Sequence, residues 1–130
     1  MTNPPLADRC VAVLIDANLD RAREGLRVVE DWCRFGLKRQ DLVVKIKNWR
    51  QQLGVKHHLA YKKSRSIKND SGLGLSHPAQ FNRKNPSQIT SANFARAQEA
   101  LRVIEEYARY SDPDLSAIAA QSDTSSMSLR

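Results

Sequence analysis

Asn18, Arg21 and Glu24 lie three residues apart, and the same three residue types recur at the same spacing as Asn93, Arg96 and Glu99. On a helix a spacing of three keeps neighbours on one side, so each trio groups an amide, a guanidinium and a carboxylate. A guanidinium fork supplies bidentate, charge-assisted hydrogen bonds, which makes paired arginines with asparagines beside them a credible phosphate site. A carboxylate alongside could hold Mg²⁺ bound to that phosphate. An internal Arg/Glu network that fixes helix register accounts for the same residues equally well.

Both trios sit inside a duplicated stretch. Residues 16–37 (DANLDRAREGLRVVEDWCRFGL) and 91–112 (SANFARAQEALRVIEEYARYSD) are offset by 75 positions and identical at ten of 22 pairs. Such self-similarity marks a duplicated supersecondary unit and predicts two related halves about a pseudo-two-fold axis. The apolar positions Ile15, Leu19, Ala22, Leu26, Val29 and Cys33 alternate spacings of 4 and 3, the pattern of an amphipathic helix, and Phe94, Ala97, Leu101, Ile104 and Ala108 repeat it. Beside that stripe runs a second seam, Asn18, Arg21, Gly25, Val28 and Trp32, with its copy Asn93, Arg96, Ala100, Val103 and Tyr107. The small Gly25/Ala100 midpoint would let two helices approach closely and leave Asn and Arg of both copies near the mouth of the contact. Arg27 and Arg34, roughly 100 to 120° from the apolar stripe, read with Asp20, Arg23 and Asp31 as a solvated face of spaced opposite charges.

The remaining elements must position these groups. The first helix is expected to begin at Pro5 or Leu6 and run to about Leu37. Asp41 is the expected N-cap of a second helix carrying Leu42, Ile46, Trp49 and Leu53 and passing through Gly54 to about Ala60. The short connection at Gly36 to Gln40 makes these two an antiparallel hairpin. A third helix follows from near Ser87 or Thr90, and Asp112-Pro113 opens a fourth. The expected fold is all-α, a four-helix bundle built from two duplicated hairpins (6–60 and 90–121) in a single domain spanning 6–121. The polar stretch 122–130 is expected to be frayed or disordered.

Between the hairpins, residues 61–89 form a long basic, glycine-containing loop, and loops of that length are more often functional than passive. Asp70 with Gly72 and Gly74 could bring a carboxylate and backbone N–H groups to a polyphosphate. NDSGLG is not the GxxxxGK[ST] pattern, and turn formation is the plainer reading of the two glycines. His57 and His58 could serve as acid/base groups or anion ligands. They point about 100° apart on a helix, so at most one is expected to face a site.

The net charge of +7 is concentrated in residues 38–68, which carry +9, whereas residues 1–37 and 69–130 each carry −1. Such a block binds anions or forms a solvated face. Few aromatics interleave with it and no helix-turn-helix or zinc signature is present, which disfavours nucleic acid. No apolar run approaches the roughly 20 residues that span a bilayer, and the start lacks signal-peptide features, so a soluble, cytosolic protein without a membrane partner is expected. Cys10 and Cys33 form no CxxC pair and read as buried or inert thiols. Helix pairing leaves a homodimer open.

The doublet, taken with R-x4-D-x-G-x-GLSHPAQ (Arg65, Asp70, Gly72, Gly74 and Leu75 to Gln80), resembles the domain fused ahead of thiamine-phosphate synthase in cyanobacteria. That domain is similar to a monofunctional hydroxymethylpyrimidine phosphate kinase family, and the resemblance covers roughly residues 8–121. It implies ATP-dependent phosphorylation of 4-amino-5-hydroxymethyl-2-methylpyrimidine phosphate to the diphosphate, which the synthase then consumes. ATP and Mg²⁺ are the implied cofactors, a small phosphorylated pyrimidine the ligand, and thiamine-phosphate synthase a partner. On that reading Arg21, Arg96 and Arg65 hold phosphates with Asn18, Asn93 and Gly72 beside them. Glu24, Glu99 and Asp70 are the catalytic carboxylates, Glu24 and Glu99 holding the metal. The chain departs from the fused form in leaving no room for a (β/α)8 barrel of about 200 residues or more. It departs again in carrying SDTSSMSLR where the family's fourth helix continues with apolar, Arg- and Tyr-bearing sequence.

Overall fold

A computed structural model describes residues 6–62 and 82–122. Among the described residues there are four α-helices: α1 (Leu6–Asp31), α2 (Gln40–Lys56), α3 (Pro86–Ser111) and α4 (Pro113–Gln121). α1 and α2 each run on into a five-residue π-helical turn, Trp32–Gly36 and His57–Tyr61. Among the described residues there is no strand, so the fold is all-α, as the periodicity requires. No described helix is long and apolar enough to cross a membrane.

The apolar stripe of α1 is the centre of the core. Ile15, Leu19, Ala22, Leu26, Val29 and Cys33 are all fully buried. Ala97, Leu101, Ile104 and Ala108 of α3, Leu42, Ile46 and Leu53 of α2, and Leu115 and Ala119 of α4 close around them. Each large aliphatic chain buried this way contributes about 1.5–3 kcal/mol, which outweighs the weak intrinsic preferences of the short α4.

Several boundaries differ from expectation for local reasons. α2 starts at Gln40 and is not capped by Asp41, because that carboxylate is held by Arg39 through bonds of 3.0 and 2.8 Å. α3 starts at Pro86, ahead of residue 90, because Asn85 accepts from the Gln88 amide at 2.9 Å and proline occupies the first turn, where its missing N–H costs nothing. Ser122, placed with the frayed tail, is buried and donates to the Ile118 carbonyl at 2.9 Å; residues 123–130 lie outside the described residues. In the α1/α2 connection the left-handed position is Lys38 (φ 54°), not the nearby glycine. Gly36 serves another need: a Cβ there would collide with the Trp32 indole.

α1 packs most extensively on α3, and the two cross antiparallel. Gly25 meets Asn93 and Ala97, whereas Asp8 to Ile15 lie beside Tyr110 and Ser111. A Cβ at residue 25 would sit 2.7 Å from the Asn93 carbonyl oxygen, so glycine is what admits the α3 backbone at this point. The second hairpin is fastened to the first at Asp112. Its carboxylate caps α4 through the Leu115 amide (3.2 Å) and accepts from Lys56 Nζ (3.0 Å) and the Tyr61 hydroxyl (2.7 Å). Burial works to raise this carboxyl, but the hydrogen bonds from Tyr61, Lys56 and the Leu115 amide outweigh it and hold its pKa below the usual carboxylate range. Burial, and then the carboxylate it donates to, push the Tyr61 phenol well above its ordinary value.

Candidate functional site

Because α1 and α3 run antiparallel, the polar start of one repeat lies against the small middle of the other. A cavity of about 360 Å³ results, lined by Asn18 and Arg21 of α1 and by Arg96, Glu99, Ala100 and Val103 of α3. The crossing thus unites the arginines of the two Asn/Arg/Glu trios, Arg21 and Arg96, in one cavity. Both are exposed, and neither makes an ion pair among the described residues. Two guanidinium groups on one cavity, neither in an ion pair among the described residues, can take an anion.

Asn18 is anchored to its own helix. Its Nδ2 donates to the Leu14 carbonyl at 2.9 Å, four residues back, which fixes the amide orientation and turns Oδ1 toward Arg21 Nη1 at 3.5 Å. One Nδ2–H is thereby engaged and the second is left, so Asn18 can orient Arg21 and still offer a donor at the cavity it lines. Asn93 repeats the arrangement, donating to the Ile89 carbonyl at 2.8 Å, and it does not line the cavity. Glu24 is exposed and also lies outside the cavity lining, so the two glutamates do not share a site there. Arg65, Asp70 and Gly72 lie outside the described residues.

Mg²⁺ is suited by one or two carboxylates together with substrate phosphate oxygens. Glu99 meets that requirement at the cavity, making no ion pair among the described residues. A second cluster has carboxylates but a different chemistry. Asp16, Asp20 and His57 place ligand atoms within 4.8 Å of one another. His57 Nδ1 lies 3.0 Å from Arg23 Nη1, which can only donate, so Nδ1 is the acceptor. Nε2 then carries the proton and donates to Asp16 Oδ1 at 2.5 Å. With both ring nitrogens engaged and a guanidinium alongside, the cluster is a buried hydrogen-bonded relay rather than a magnesium site.

That relay corrects the reading of Asp20 and Arg23 as members of a solvated face. Asp20 and Arg23 are half-buried beneath the π-helical turn that ends the first hairpin. Arg27 does form an exposed pair with Asp31 at 3.4 Å, as that reading expects. Of the two histidines His57 is buried and His58 exposed, as the helical geometry requires of adjacent residues. Composition and spacing also passed over Glu30. It is buried and held by Arg50 at 3.0 Å and Arg34 at 3.6 Å, and its repeat counterpart Glu105 holds Arg102 and Arg109 at 2.7 and 3.5 Å. The signal was the identity of Glu30 with Glu105 and of Arg34 with Arg109 in the doublet. Of the cysteines, Cys33 is buried, which pushes its thiol pKa up, and Cys10 is exposed.

Comparison with known proteins agrees with the doublet. The ThiD2 family matches residues 13–124. Thiamine-phosphate synthase of Prochlorococcus marinus (strain MIT 9303) is 66% identical over 116 residues, covering 89% of this chain and 33% of that protein. The protein of the same name from Prochlorococcus marinus (strain MIT 9313) is 65% identical over 116 residues, covering 89% and 33%. The one from Synechococcus sp. (strain CC9605) is 66% identical over 113 residues, covering 87% and 32%. The chain therefore spans about a third of the length of these relatives. No solved structure matches it. The family match extends over most of the chain and includes both copies of the doublet: the protein belongs to the ThiD2 family.

Proposed function

We propose that this protein acts in thiamine biosynthesis as a phosphotransferase, converting hydroxymethylpyrimidine phosphate to its diphosphate with ATP. The observation that carries this reading is the pairing of Arg21 and Arg96, neither in an ion pair among the described residues, on one cavity between the duplicated helices. The relatives' shared name, thiamine-phosphate synthase, supports the pathway.

Phosphoryl transfer asks mainly for positioning and charge neutralisation. Arg21 and Arg96 hold the substrate phosphate by bidentate contacts, and Asn18 fixes the direction of Arg21. Glu99 is the residue that would hold Mg²⁺, and that ion supplies charge neutralisation on the transferring phosphoryl group. Ala100 and Val103 give the cavity the apolar wall that a pyrimidine ring needs. In the longer relatives the synthase named would be the consumer of the product.

The test is incubation of the folded protein with the pyrimidine monophosphate, ATP and Mg²⁺, following the diphosphate. Arg21→Ala and Arg96→Ala are each expected to lower kcat/KM by about a hundredfold, the usual loss on removing one preorganised donor. Absence of turnover by protein that is demonstrably folded overturns the assignment. If both variants changed only oligomer mass or melting temperature, the cavity would be a helix-pairing feature instead.

A further inference from the structure

Arg21 and Arg23 are two residues apart, which places their side chains about 200° apart around α1. Arg21 faces the α1/α3 cavity, and Arg23 faces a separate cleft between α1 and α2, of about 620 Å³. We propose that this second cleft binds a small organic phosphate, its phosphoryl group on Arg23, Lys47 and Arg50 and its less polar body along Val55 and Leu59.

Three cations converge on the cleft, and the protein neutralises them incompletely. Arg50 is paired with Glu30 at 3.0 Å. Arg23 has an imidazole nitrogen, His57 Nδ1, as its partner at 3.0 Å and makes no ion pair with a carboxylate among the described residues, Asp20 lying 3.8 Å from that same nitrogen. Lys47 is exposed and makes no ion pair among them. The Nε–H groups of both arginines are buried without an acceptor among the described residues, which leaves part of the hydrogen-bonding capacity of each guanidinium unused there.

The cleft is also shaped for more than a bare ion. Gly54 lies inside α2, where glycine costs roughly 1 kcal/mol relative to alanine. A Cβ there would stand 3.3 Å from Arg23 Nη2 and 3.4 Å from its Cζ, so the glycine leaves the guanidinium uncrowded. Next to it, Val55 and Leu59 are 54% and 78% exposed, which is unusual for large aliphatic chains that line a cleft. Cations and unburied aliphatic groups lining one cleft match a phosphate monoester with a planar or apolar body, and match an inorganic anion less well. Binding here is separate from the α1/α3 cavity and does not depend on the activity proposed for it.

The experiment is a titration of the ¹⁵N-labelled full chain, read by amide chemical shifts, with inorganic phosphate and with adenosine 5′-monophosphate to millimolar concentration. Shifts at Gly54 and Val55, with the nucleotide binding about tenfold tighter than phosphate, are expected. Lys47→Glu, an exposed change that leaves the core intact, should weaken both probes by about tenfold or more, and Leu59→Ser should weaken only the nucleotide. Arg21→Ala should leave these shifts unchanged. No shift at Gly54 and Val55, shifts confined to Ala100 and Val103, or insensitivity to Lys47→Glu would each overturn the proposal, and phosphate binding alone would overturn the organic-body part of it.

Discussion

The Tyr61 hydroxyl donates a 2.7 Å hydrogen bond to Asp112, joining the turn after α2 to the residue that caps α4. Tyr61→Phe removes one bond to a charged group and is expected to destabilise the domain by about 1–3 kcal/mol, measured by urea denaturation. The pH dependence follows from Asp112, whose folded pKa is depressed. A depressed carboxylate contributes stability that is fully present above its unfolded pKa and is lost as pH falls through its folded value. The difference in urea midpoint between wild type and Asp112→Asn should therefore stay constant from neutral pH to about 5 and shrink below about 4. A difference that grew on acidification would contradict the assignment.

Gly25 touches the Asn93 carbonyl and Ala97 across the α1/α3 crossing. The obstruction is backbone, which cannot swing aside, so Gly25→Ala should cost about 1–3 kcal/mol despite alanine's better helix propensity. Thermal and urea unfolding measure it. A neutral or stabilising result would mean that the helices do not approach this closely.

Glu30 is buried between Arg50 and Arg34. Removing one partner of a buried pair costs about 3–5 kcal/mol when nothing replaces it, and here Arg34 remains, so Arg50→Met is expected to cost less, about 2 kcal/mol. Glu30→Gln in the Arg50→Met background should recover part of that loss. The double-mutant cycle of unfolding free energies is the check, and additive losses would show that the two residues are not coupled.

Glu99 lines the α1/α3 cavity, and Glu24, its repeat partner, does not. The two substitutions should therefore be unequal. Glu99→Gln is expected to raise the Mg²⁺ concentration needed for half-maximal turnover by about tenfold, and Glu24→Gln to change it little. Equal effects would favour a site shared by both glutamates.

Periodicity located the core stripe of α1 residue by residue, because burial follows directly from 3.6-residue geometry. It also placed Arg21 and Arg96 beside the small residues that let two helices meet. Periodicity gives a direction around a helix but not the element that covers it, and there the reading of Arg23 and Asp20 failed. The π-helical turn at His57–Tyr61 brings His57 over that flank, and no propensity argument anticipates such a turn. Asn18 shows a related limit: residue type supplies two N–H donors, and only the structure shows that one of them goes to the Leu14 carbonyl. Gly54 was a usable signal, since glycine inside a helix asks for a close neighbour, and the neighbour is Arg23.

The walls of the α1/α3 cavity come from residues 75 positions apart in the chain, Arg21 and Arg96. Contacts of such high sequence separation require a large loop to close, so this cavity is a property of the assembled domain and not of either hairpin. A ligand bound in it would accordingly hold both hairpins together and report on the folding of the whole domain.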